Sequence, residues 1–140
     1  MAITLDTKTI GLITVFENVT KAPIKDCFLD DSNNMAYFIV DEGKIGLAIG
    51  RNGEGVKSVE RLIKKNVKIF EFSKDLETFV KNVIPYVNTV RIKNSGKDVV
   101  VEVNVDKRSK ALVIGRDGRN LKLYRKLLMR NHDVSGVVVR

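Results

Sequence analysis

Apolar residues change their spacing along the first half of the chain in a way that predicts alternating helices and strands. Residues 7–21 carry Leu12, Ile13, Phe16 and Val19 at helical spacing, and Pro23 ends that segment. Short β-branched and aromatic runs on either side of a polar turn predict a hairpin. The predicted elements of this half are helices at 7–21, 41–49 and 54–65 and strands at 24–29, 35–40 and 67–72.

The second half predicts the same order of elements. Asp41 and Asp106 precede the second helix of each half, where an aspartate favours a helix N-terminus. We predict helices at 75–84, 106–114 and 119–130 and strands at 89–93, 99–105 and 134–139.

The two halves are also related in sequence. When they are aligned at an offset of 65 residues without a gap, 10 of the 27 positions from 40 to 66 are identical. A match of this length indicates duplication. We therefore predict two units, residues 1–72 and 73–140. The identical residues of the first half are Val40, Asp41, Leu47, Ile49, Gly50, Arg51, Gly53, Lys57, Leu62 and Asn66.

Composition favours an anionic partner. The chain has a net charge of +8 and a pI of about 9.7, and by count residues 71–140 contribute +7 of that charge. An apolar content of 44% is ordinary for a folded protein. Cys27 is the single cysteine, the first ten residues lack the apolar core of a signal peptide, and no apolar stretch reaches the roughly 20 residues of a membrane span. We expect a cytoplasmic protein without a membrane segment.

Each half contains a Gly-x-x-Gly segment between two predicted helices. Glycine allows a sharp turn and a close approach of backbone to ligand, and helix N-termini offer N–H groups to phosphate. The two segments are Ile49-Gly50-Arg51-Asn52-Gly53 and Ile114-Gly115-Arg116-Asp117-Gly118.

This order of elements around the glycine turns resembles the type II KH domain. Two such units in tandem resemble the NusA-like transcription termination and antitermination factors of archaea. The resemblance implies an α+β fold of two tandem KH type II domains, each a three-stranded sheet covered by three helices on one face. It also implies a non-catalytic protein that binds single-stranded RNA, with RNA polymerase as a further partner. We expect a monomer.

By resemblance, the turns hold about four nucleotides of backbone each and the bases lie on an apolar groove. The carboxylate of Asp117 is expected to weaken phosphate binding by the second turn. Ile39 and Val103 are further candidates for the groove wall. The predicted RNA-binding residues are Ile49, Gly50, Arg51, Asn52, Gly53, Val56, Lys57, Arg61, Ile114, Gly115, Arg116, Asp117, Gly118, Arg119, Leu121, Lys122 and Lys126.

Other chemistry is disfavoured. The segment from Gly50 to Ser58 approaches a P-loop, but Val56 separates the last glycine from Lys57, and a helix is predicted where a P-loop needs a strand. Gly43 and Gly46 form another glycine pair, predicted to lie within the second helix. One histidine, His132, and one cysteine offer no zinc site and no nucleophile–base pair, so we expect neither catalysis nor a cofactor.

Two other functions stay open. The repeat is compatible with a protein-interaction scaffold that docks on RNA polymerase or the ribosome. It is equally compatible with a KH protein of RNA processing or translation.

Overall fold

Each half of the chain folds as a helix, a β-hairpin, two helices joined by a glycine turn, and a final strand. The computed structural model describes residues 6–140, and the chain divides into two compact units between Ser73 and Lys74. The first five residues, which the sequence analysis includes in the first unit, lie outside the described residues. The assignment of 1–72 and 73–140 as the two KH domains stays a prediction.

The elements of the first unit are α1 (Thr7–Thr20), β1 (Ile24–Asp30), β2 (Met35–Val40), α2 (Ile45–Ile49), α3 (Glu54–Ile63) and β3 (Asn66–Glu71). Those of the second unit are α4 (Leu76–Val83), β4 (Val87–Ser95), β5 (Asp98–Val105), α5 (Lys107–Ile114), α6 (Arg119–Asn131) and β6 (Gly136–Val139). The α+β class and the predicted order of elements are confirmed.

The two sheets share one topology. In the first, β2 is the middle strand, antiparallel to β1 and parallel to β3. In the second, β5 is antiparallel to β4 and parallel to β6. A parallel pair needs a crossover, and the two helices flanking the glycine turn form that crossover in each unit.

The core of the first unit lies between its sheet and its helices. Phe16 of α1 and Phe38 of β2 are fully buried, with ring centroids 4.6 Å apart. Val59 of α3 and Cys27 of β1 belong to the same core. In the second unit the corresponding buried residues include Val101 and Val103 of β5 and Leu127 of α6. This packing holds the glycine turn of each unit against a rigid base.

Aspartates begin the first helix of each unit. The carboxylate of Asp6 accepts the N–H of Thr9 at 2.8 Å, and that of Asp75 accepts the N–H of Thr78 at 3.1 Å. Hydrogen bonds favour the ionised forms, so the pKa of each aspartate lies below its usual value. The main cause is the backbone N–H of Thr9 for Asp6 and the hydroxyl of Thr78, at 2.6 Å, for Asp75. The threonines that weaken the helical pattern of α1 are accommodated, since Thr20 bonds back to the carbonyl of Phe16.

The predicted helix from Asp41 to Ile49 is wrong in its first turn. The helix begins at Ile45, because Gly43 adopts a left-handed backbone (φ +78°) and Asp41 instead closes a turn by accepting the N–H of Lys44 through its carbonyl. Gly43 therefore lies outside the helix that was predicted to contain it. Asp106 does precede α5, but its carboxylate accepts a bond from Asn88 rather than from the helix.

Along residues 6–140, no helix combines the length and hydrophobicity that crossing a bilayer requires.

Candidate nucleic-acid interface

In the first glycine turn, three of the four residues have a positive φ. Gly50 has φ +73° and ψ 178°, and Gly53 has φ +75° and ψ 11°. Between them Arg51 keeps helical angles, whereas Asn52 is left-handed (φ 56°, ψ 28°). The turn closes through a hydrogen bond from the N–H of Gly53 to the carbonyl of Gly50 at 3.3 Å.

The second turn repeats this backbone closely. Gly115 has φ +77°, Gly118 has φ +72°, and Asp117 is left-handed with φ 56° and ψ 26°. Asparagine and aspartate are the side chains that best tolerate this region. The backbone therefore gives a physical reason for Asp117, whose charge is expected to weaken phosphate binding by this turn.

Consecutive N–H groups converge in each turn. A residue with right-handed angles followed by one with left-handed angles forms a concave nest that binds anions. Arg51 and Asn52 have this combination, as do Arg116 and Asp117. The N–H groups of these four residues donate to no acceptor among residues 6–140, so each turn has two amide donors available for an anion.

Glycine is required in the first turn for space as well as for conformation. A Cβ on Gly50 would lie 2.8 Å from the backbone nitrogen of Gly55, and one on Gly55 would lie 2.4 Å from the carbonyl oxygen of Ala48. Helices α2 and α3 are therefore packed backbone to backbone just below the turn.

The second turn is supported differently. Asn120 occupies the position equivalent to Gly55, and its side-chain amide donates to the carbonyl of Leu112 at 3.0 Å. A Cβ on Gly115 would meet this side chain at 2.8 Å. By contrast, a Cβ on Gly118 would meet nothing within 4 Å, and one on Gly53 would meet only the Lys57 side chain at 3.8 Å.

The predicted cations surround the turns but differ in their partners. Arg51, Lys57, Arg116 and Lys122 are exposed. Arg61 lies 3.5 Å from the carboxylate of Glu54 and also donates to Ser58, so part of its charge is balanced within the first unit. Arg119, at the position equivalent to Glu54, adds a positive charge to the second unit, where Lys126 is also exposed.

Apolar side chains lie beside both turns. Ile49 is 43% exposed, and Val56, Ile114 and Leu121 are half-buried, so all four can meet a ligand at the surface. Leu47 and Leu112 are 48% and 63% exposed and were missed as candidates. Their match at the repeat offset was an available signal.

The suggestion that Ile39 and Val103 line the groove is wrong. Both side chains are fully buried, and a base cannot reach them. Apolar alternation along a central strand identifies a strand, but it does not say which residues remain accessible.

His132 ends α6 as its C-cap, and its ring lies 5.3 Å from that of Phe79. Among the described residues, no group of three or more histidine, cysteine or carboxylate side chains is arranged to hold a metal ion.

Comparison with known proteins identifies the class. The family model described as a KH domain matches residues 12–97, which include most of the first unit and the first elements of the second. The match spans more than half of the chain. The chain therefore belongs to the KH-domain family.

Three relatives place the chain among the NusA-like members of that family. Each is named probable transcription termination protein NusA. The protein of Methanocaldococcus jannaschii is 36% identical over 96% of this chain and 74% of its own length. That of Thermoplasma acidophilum is 32% identical over 99% and 96%, and that of Halococcus morrhuae is 32% identical over 98% of both chains.

A solved structure has the same fold. The crystal structure of APE1850 is 33% identical and superimposes with a TM-score of 0.81, covering 97% of this chain and 100% of its own. The resemblance to tandem KH domains is confirmed at the level of the fold.

Proposed function

We propose that this protein is a non-catalytic factor that binds single-stranded RNA and acts in transcription termination or antitermination. The observation that carries the proposal is the pair of glycine turns, each with two backbone amides that have no acceptor within residues 6–140. The names of the relatives support the context, since they describe termination proteins.

In this proposal each turn binds the phosphate backbone through its nest. Two amides converge on one phosphate oxygen, and the exposed Arg51 or Arg116 adds a charge-assisted bond. Lys57 and Lys122, one helical turn further on, neutralise the following phosphates. This geometry selects for a ribose-phosphate chain and carries no base specificity by itself.

The bases then lie against the apolar side chains next to each turn. In the first unit these are Leu47, Ile49 and Val56, and in the second Leu112, Ile114 and Leu121. A KH module holds about four nucleotides in this way. Aliphatic surfaces of this kind accept a base by shape and apolar contact, and they suit unpaired RNA because only an unpaired base can be turned outward.

RNA polymerase is a candidate for a second partner, because termination separates a transcript from the polymerase that made it. The alternative, a scaffold that binds protein primarily, differs in one respect that can be measured. A polymerase contact that survives complete nuclease digestion in a pull-down is direct, whereas one that depends on RNA disappears.

The decisive experiment replaces both open glycines with aspartate. Gly53→Asp with Gly118→Asp introduces a carboxylate beside each nest without a steric clash, since a Cβ at either position meets little. We expect the affinity for single-stranded RNA to fall at least about 100-fold, corresponding to about 2.7 kcal/mol. Fluorescence anisotropy of a labelled RNA measures this loss.

Gly96→Asp is the matched control. Gly96 also has a positive φ (+62°) and open space around its Cβ position, and it lies in the β4–β5 hairpin rather than in a glycine turn. It should keep nearly full affinity, and thermal unfolding should report a similar cost for all three substitutions. Unchanged RNA affinity in the double variant would contradict the proposal.

A further inference from the structure

A cleft lined mainly by basic side chains runs beside α3, and another lies at the matching place beside α6. The helical positions that line the second cleft follow those that line the first by the repeat offset of 65 residues. The first is lined by Lys57, Glu60, Arg61, Lys64 and Lys65, together with Asn34 and Asn66. The second is lined by Lys122, Arg125, Lys126, Met129 and Arg130.

Cations outnumber carboxylates in the lining of both clefts. Glu60 is the one carboxylate that lines the first, and it accepts the backbone N–H of Val67 at 2.9 Å. Lys65 lies 3.5 Å from Asp31, but Lys57 and Lys64 form no ion pair among residues 6–140. The lining of the second cleft contains four cations and no carboxylate.

Like charges stand one helical turn apart in the lining of both clefts. Lys57 and Arg61 are four residues apart, as are Lys122 and Lys126, and Lys126 and Arg130. Like charges at this spacing destabilise a helix by about 0.2–0.5 kcal/mol per pair. An anion bound in the cleft would reverse the sign of that effect, which gives the clustering a physical reason.

The first cleft is also fixed in shape. Lys64 ends α3 with a left-handed backbone (φ 58°, ψ 41°), and its carbonyl accepts a bond from the Asn34 side chain at 3.3 Å. The N–H of Asn66 donates in turn to the carbonyl of Asn34 at 3.0 Å. The end of the helix and the β1–β2 turn thus form one connected rim.

The clefts are continuous with the glycine turns. Lys57 and Lys122 stand in the first turn of α3 and α6 and also line the clefts. Lys64 follows Gly53 by 11 residues, or about 16 Å along the helix. A strand that leaves the turn along α3 therefore meets positive side chains from Lys57 near the start of the helix to Lys64 at its end.

We propose that the clefts beside α3 and α6 are a second phosphate-binding site in each unit, which holds the RNA strand beyond the nucleotides held by the glycine turn. This inference rests on the proposed function, because it concerns the same RNA. It predicts that each unit contacts more phosphates than the turn alone provides.

The test uses the full chain with Lys64→Gln and Arg125→Gln, two cleft residues outside the predicted turn site. The control variant, Lys68→Gln with Lys97→Gln, also loses two positive charges, but from exposed positions on β3 and in the β4–β5 hairpin that do not line either cleft. Anisotropy titrations over a range of salt compare a short RNA of about four nucleotides with a long one of about 16.

We expect the cleft variant to bind the long RNA about three- to tenfold more weakly than the control variant does. The slope of log K against log salt should become shallower by about 1.4, because each phosphate of a single strand that a cation neutralises adds about 0.7 to the slope and the variant removes two such cations. The short RNA should bind both variants equally.

Three outcomes overturn the inference or its basis. If the cleft variant equals the control on the long RNA, while Gly53→Asp with Gly118→Asp still abolishes binding, the clefts are not on the RNA path and the glycine-turn function stands. If the short RNA is weakened as much as the long one, the cleft residues act through the turn. If the glycine variant binds both RNAs normally, the proposed function itself fails.

Discussion

The two glycine turns have nearly the same backbone and different surroundings. Their dihedral angles agree within a few degrees at each left-handed position. Yet Asn52 is replaced by Asp117, Glu54 by Arg119 and Gly55 by Asn120. The feature common to both units is thus the pair of converging amides, and the side chains around it have diverged. The property that the two repeats share is therefore the arrangement of backbone N–H groups, and not the side chains around them.

The sheets show the same contrast on the face that points away from the helices. In the first unit Tyr37 stacks between Phe28 and Phe70, with ring centroids 6.1 and 6.4 Å away. In the second, Glu102 stands at the equivalent position of the middle strand and pairs with Lys93 at 2.5 Å and with Arg140. The faces toward the helices are apolar in both units, whereas at these positions the opposite face is aromatic in one unit and ionic in the other.

The largest expected effect is on stability, and it comes from exchanging Gly55 and Asn120, the equivalent residues that pack beneath the first and second glycine turns. Gly55→Asn should destabilise the protein by about 3 kcal/mol, because its Cβ would lie 2.4 Å from the Ala48 carbonyl oxygen. The reverse change, Asn120→Gly, removes one hydrogen bond and should cost about 1 kcal/mol. Urea unfolding measures both, and equal costs would show that the supports are interchangeable.

Substituting one turn at a time tests how the charged side chains around each turn affect RNA binding. Gly118→Asp alone should weaken RNA binding more than Gly53→Asp alone, which we expect to reduce affinity roughly tenfold, or about 1.4 kcal/mol. The reason is that Arg119 strengthens the second turn, whereas Glu54 faces Arg61 in the first. Titrations at one salt concentration compare the variants, and the opposite ranking would assign the main contact to the first unit.

A smaller effect is expected from exchanging the left-handed residues. Asp117→Asn should raise RNA affinity by about fivefold, and Asn52→Asp should lower it by a similar factor. This factor follows from the interaction of two unit charges 4 Å apart in water, which is about 1 kcal/mol and changes an affinity about fivefold. Both residues tolerate the left-handed backbone, so unfolding temperatures should hardly change. Affinities that do not respond to either exchange would mean that phosphate does not approach these positions.

The smallest expected effect concerns acid stability. The hydrogen bond from Lys93, followed by that from Arg140, lowers the pKa of Glu102 to about 2. A lowered carboxylate pKa stabilises the fold above the unfolded-state value and loses that contribution as the pH falls toward 2. Glu102→Gln should therefore lose less stability than the wild type between pH 5 and about pH 2. Unfolding followed by circular dichroism at each pH tests this, and parallel curves would show that Glu102 does not contribute.

Local patterns predicted most of the secondary structure. The apolar run from Met35 to Val40 predicted β2 at its observed bounds, and the offset of 65 residues indicated two units of one topology. The predicted bounds were wrong where an element ends at a pairing with residues elsewhere in the chain. β4 runs from Val87 to Ser95 because the hairpin pairing continues as far as Ser95 and Asp98, and that pairing cannot be seen in the strand's own sequence.

The predicted RNA-binding residues also divide into those that local sequence indicated and those whose accessibility depends on tertiary packing. Gly50, Gly53, Gly115 and Gly118 were predicted as turn residues because each pair recurs at the repeat offset between two helical patterns, and the structure gives all four a positive φ. Leu47 and Leu112 were missed, and Ile39 and Val103 were misplaced, because apolar character does not reveal exposure. Exposure depends on which elements cover a residue.

The duplication, the order of elements and the positions of the two glycine turns could be predicted, since each follows from residues close together in the chain. The fold was needed to show that Arg61 faces Glu54, that Asn120 supports the second turn in place of Gly55, and that Lys57 joins Lys64 and Asn34 in one cleft. These outcomes depend on how the elements pack and on which side chains they bring together. Burial and pairing are properties of the packed chain, and local spacing does not encode them.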